Sequence, residues 1–87
     1  MTRRQLNSMI KLKNIKSNDT VIECDIYPED SLQAGHIVVD IKSRKLKKCN
    51  LPKNYEWCKK HVYHAKDKLL EYIKLDNIPD EKLIKWC

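Results

Sequence analysis

The chain contains no phenylalanine, a single glycine and only three arginines among its eighteen basic residues. One glycine excludes a glycine-rich phosphate loop, which needs several positions where backbone turns sharply or approaches a phosphate. No cysteine pair has the two-residue spacing of a zinc knuckle or a thioredoxin-like motif. No run approaches the roughly 18 apolar residues of a membrane-spanning helix. The start does not read as a secretory leader either, because Lys11, Lys13 and Lys16 interrupt every apolar stretch after Arg3 and Arg4. These absences predict a cytoplasmic protein that does not enter the membrane.

What is present is 87 residues, 41% hydrophobic and 34% charged, enough for one small core. Residues 9–87 form the expected domain, and residues 1–8 are expected to be a loose extension. The net charge of +6 is segregated: +5 over residues 1–16, −6 over 17–41, +8 over 42–68 and −1 over 69–87. If the first segments pair as strands, Lys11 and Lys13 can face Glu23 and Asp25 and neutralise them locally. Cys24, Cys49, Cys58 and Cys87 allow two disulfides in three pairings, but a cytosolic setting favours unpaired thiols.

Apolar residues alternate with lysines over Met9–Lys16 and with acids over Val21–Tyr27, the pattern of half-buried strands. Pro28 to Gly35 reads as a loop, and Gly35 is expected to hold a backbone angle that other residues avoid. His36–Ile41 and a short strand over Leu46–Cys49 follow, joined by a turn at Ser43-Arg44. Asn54 is the expected cap of a long helix running to about Lys74. Its stripe of Tyr55, Cys58, Val62, Ala65, Leu69, Tyr72 and Ile73 recurs at helical spacing. Asp76-Asn77 ends it, and Glu81–Trp86 is expected to return as an edge strand. The fold class is therefore α+β: an antiparallel three- or four-stranded meander packed under one long amphipathic helix.

Chemistry-bearing patterns are sparse. Cys58, His61 and His64 follow at three-residue steps, so two could ligate one metal, but the three spread too far around a helix to converge. The same residues suggest a Cys–His nucleophile pair, although Cys58 falls in the buried stripe. Glu23, Asp25, His36 and Asp40 share a polar sheet face and resemble an acid–base cluster, which pairing with lysines would explain without catalysis. The expectation is a non-enzymatic chain with no cofactor and no metal.

Two surfaces stand out instead. Trp57, His64 and Lys68 share one side of the helix, and Trp86 can pack nearby, giving an aromatic, imidazole and ammonium ridge suited to a protein partner. The exposed sheet face is an alternative docking surface. Lys42, Arg44, Lys45, Lys47 and Lys48 crowd one turn and the strand after it, and they carry the competing reading of weak, sequence-nonspecific nucleic-acid binding. No aromatic residue interleaves that run for base stacking, and lysines also protect an edge strand. Monomer and homodimer both remain open.

Tyr27-Pro28-Glu29, the strand Gly35-His36-Ile37-Val38-Val39-Asp40, His64-Ala65-Lys66, Leu69 and the Ile78-Pro79 to Trp86 ending together resemble a family. It comprises small uncharacterised proteins of low-GC Gram-positive bacteria, their phages and mobile elements. Cys87 stands where that pattern has a terminal aromatic. The resemblance implies cytoplasmic expression and directs attention to His64, Asp40 and Trp86.

Overall fold

Alternation of apolar and polar residues builds the sheet. The computed structural model describes residues 8–86. Ser8–Ser17 form β1, Val21–Pro28 β2, Gly35–Asp40 β3 and Leu46–Asn50 β4. Helix α1 spans Lys59–Leu75, and Lys82–Trp86 return as β5. The five strands run in the order β4-β3-β2-β1-β5, every neighbouring pair antiparallel. This is the expected α+β fold, with the last strand added at the β1 edge. The expected extension lies outside the described residues except for Ser8, which opens β1. Among the described residues no helix is long and apolar enough to cross a membrane.

One sheet face is dry. Ile10, Leu12, Ile22, Cys24, Ile26, Ile37 and Val39 have no exposed surface, and α1 covers them with Val62, Ala65 and Leu69. The helix crosses the three central strands β1, β2 and β3. Each Ile, Leu or Val among them contributes about 1.5–3 kcal/mol when removed from water, so this layer is the main stabilising term. The helix ends where Asp76 enters the left-handed region at φ 54°, and the Asn77 N–H donates back to the Tyr72 carbonyl over 3.2 Å.

Three expectations are corrected. The helix does not start at Asn54: that residue sits at φ 72°, incompatible with the extended backbone of a capping residue. Two tight turns occupy the stretch instead, closed by Tyr55 N–H to the Pro52 carbonyl (2.9 Å) and Cys58 N–H to the Tyr55 carbonyl (3.0 Å). Cys58 precedes the first helical turn and provides no side-chain cap.

Gly35 holds no positive φ. It is needed for space, since a Cβ there would collide with the Asn50 carbonyl of β4.

The β1–β2 register also departs from expectation. Lys13 faces Asp25, antiparallel pairing then puts Lys11 opposite Tyr27, and a bulge between Lys13 and Lys16 brings Glu23 opposite Lys16. Asn14 at φ 56° forms its kink. The extra residue keeps Ile15 on the buried face after Leu12, where strict alternation would have turned it outward.

Candidate functional site

The turns before α1 leave Trp57 on the surface, with 65% of its area exposed. It is nevertheless tethered, because its indole N–H donates to the Asn54 carbonyl over 3.1 Å. The helix then presents His61 and His64 on successive turns. From the other direction, β5 carries Ile84 and Trp86 against the margin of the core. His61 lies edge-on between two indoles, 5.6 Å from Trp57 and 4.9 Å from Trp86 between ring centres. His64 stacks on Trp86 at 4.0 Å with the planes 28° apart. The four rings form one continuous series, each pair in a geometry favoured by aromatic quadrupoles.

A buried clasp holds the middle of this series. His61 is 5% exposed, and its Nε2–H donates to Glu29 Oε2 over 2.7 Å. The same carboxylate oxygen accepts the Met9 backbone N–H over 3.1 Å, and the Met9 carbonyl accepts the Glu29 N–H over 3.0 Å. Glu29 adopts φ 53°, a left-handed conformation just beyond β2. One residue thus ties the end of β2 to β1 and to the helix. The Nδ1 of His61 is buried without a hydrogen-bond partner.

The residues expected on the ridge are only partly brought together. Trp86 and His64 meet directly, whereas Trp57 reaches them through His61. Lys68 turns along the helix, its ammonium donating to Glu71 over 2.9 Å. Glu29 was missed as a supporting residue. Trp57 precedes the helix, so no helical spacing links it to His61, and nothing local announces the left-handed Glu29.

The remaining constellations have structural explanations. Burial, then the Glu29 charge, pushes the Cys58 thiol up to about 11, the opposite of an activated nucleophile. Cys24 is pushed to about 12 by burial and by Asp25 and Glu23. Among the described residues, Cys24, Cys49 and Cys58 are free thiols, and no group of three His, Cys, Asp or Glu side chains could hold a metal.

On the open sheet face His36 lies between Asp25 (2.9 Å from Nδ1) and Glu23 (2.8 Å from Nε2). Asn14 from the bulge donates to Asp25 over 2.8 Å. The neutralising partner of these acids is therefore His36, not Lys11 or Lys13. Partial burial opposes the charged imidazole, but the bonds to Asp25 and Glu23 outweigh it and raise its pKa. Asn14 and then His36 lower that of Asp25.

Asp40 does not join this cluster. It caps the β3–β4 turn by accepting the Ser43 backbone N–H over 2.7 Å. The basic residues Lys42, Arg44, Lys45, Lys47 and Lys48 are all exposed there, without an ion pair among the described residues. They are divided between the turn and the sheet's edge strand rather than gathered in a groove.

Comparison with protein-family models, with curated proteins and with solved structures gave no match to this chain. Its function is accordingly argued from its own geometry.

Proposed function

We propose that this chain is a non-enzymatic interaction module that docks a protein partner on the ridge of Trp57, His61, Trp86 and His64. The observation that carries the reading is Trp57 itself, a large apolar side chain left in water yet held through its nitrogen and set against the His61 ring. Holding a tryptophan ready in this way lowers the ordering cost of association, and tryptophan is prominent among residues that dominate interface energies. The suppressed Cys58 thiol supports the non-enzymatic part. An accessory role in a mobile element is part of the same proposal; the resemblance behind it implies cytoplasmic expression and no established activity.

Trp57→Ala is expected to weaken partner retention by at least about tenfold, the scale of an anchor residue, with the fold unchanged. The measurement compares proteins retained from a Gram-positive lysate by immobilised wild type and by the variant. Circular dichroism of both confirms folding. Identical retention would sink the proposal. So would retention lost only when Lys45, Lys47 and Lys48 become Ala, which would transfer the role to the basic hairpin.

A further inference from the structure

The open face of the sheet carries a second surface, on a different side from the ridge. Met9, Lys11, Lys13, Tyr27, Leu32 and Leu83 line a groove of about 420 Å³ there. Leu32 is 95% exposed and Leu83 43%. The charge on this groove follows from the pairing described above. Because His36 and Asn14 occupy Glu23 and Asp25, Lys11 and Lys13 have no carboxylate partner among the described residues. Glu29 at the rim is engaged by His61 and by the Met9 N–H.

We propose that this groove binds an extended peptide segment in which acidic side chains recur at alternate positions. Lys11 and Lys13 are two residues apart on one strand, about 7 Å, which is the repeat of alternate side chains along an extended peptide. Two carboxylates of such a segment meet the two ammonium groups, their methylene stems resting on Met9 and Leu83, while the intervening side chains point away from the sheet. Leu32 closes one end. Single-stranded nucleic acid fits less well. The groove has one aromatic ring, and the Lys13 ammonium already lies 5.5 Å from its centre, where a base would stack.

The test titrates isotope-labelled protein with a capped Glu-Leu-Glu-Leu-Glu peptide and follows backbone amide resonances. Saturable shifts are expected on β1, β5 and the loop after β2. Reversing both charges (Lys11→Glu with Lys13→Glu) is expected to weaken binding at least about tenfold and to create affinity for the Lys-Leu counterpart. The amide spectrum of the free variant shows whether it is folded, and Lys11→Gln with Lys13→Gln repeats the measurement without added repulsion. Leu83→Ser is expected to weaken binding while leaving its salt dependence unchanged, and Trp57→Ala to leave it intact. Equal affinity for a Glu-Glu-Glu-Leu-Leu peptide would overturn the groove, since charge without the alternate spacing would then suffice. Tighter binding of a short oligothymidylate, or no saturable shift on these elements, would overturn the proposal as well.

Discussion

Glu29→Ala is expected to lower the free energy of unfolding by about 2–3 kcal/mol, a large effect for one substitution at a residue that is not fully buried. The Met9 N–H and the buried Nε2–H of His61 would both lose their acceptor. Each is a hydrogen bond to a charged group, worth about 1.5–3 kcal/mol before allowance for the fraction still reached by water. Glu29→Gln keeps a carbonyl oxygen in the same place and is expected to retain most of the stability. Urea unfolding followed by circular dichroism separates the two. A similar loss in both variants would mean that the negative charge, rather than the shared acceptor, is what matters. No loss in either would leave the clasp without an energetic role.

Both this clasp and the ridge it supports were only partly legible in the sequence. The strands were, because Ile22, Cys24 and Ile26 alternate with Glu23 and Asp25, and a one-residue slip would expose them all. The helix body was legible from Val62, Ala65, Leu69 and Tyr72, but its start was not. Asn54 is chemically a good cap, and only the turns around Pro52 and Tyr55 show that its backbone is left-handed. The bulge at Asn14 was equally silent, and it redirects the electrostatics by bringing Asn14 to Asp25 and shifting Glu23 opposite Lys16. The tryptophans stand out as surface candidates, whereas His61 enters only beside Cys58 and His64. Its role depends on a contact 32 residues away, at Glu29, which no local pattern encodes.

The second large effect concerns the sheet cluster and is pH-dependent. His36→Leu is expected to cost about 2 kcal/mol near pH 6, two charge-assisted hydrogen bonds discounted for side chains roughly one-third exposed. Glu23 and Asp25 would then face each other without the cation between them.

The sign follows from each shift. The His36 pKa is raised by folding, so its contribution is fully present below the ordinary histidine value of about 6.5 and is lost as pH rises through the raised value. The Asp25 pKa is lowered, so its contribution is present above the ordinary aspartate value of about 4 and is lost on acidification. The stability gap between wild type and variant should therefore be widest between those two values and narrow toward alkaline pH. A gap that stays constant from mildly acidic to alkaline pH would show that His36 contributes through packing rather than charge.

The idea that a rigid, water-exposed Trp57 forms the docking ridge can be tested before any partner is known. Protein labelled with 5-fluorotryptophan gives two fluorine resonances, assigned with Trp57→Phe and Trp86→Phe variants. The Trp57 signal is expected to shift between light and heavy water, as an exposed ring does, while relaxing at the rate of overall tumbling, as a tethered ring does. A Trp57 line narrowed by fast local motion, or one indifferent to the solvent isotope, would contradict it.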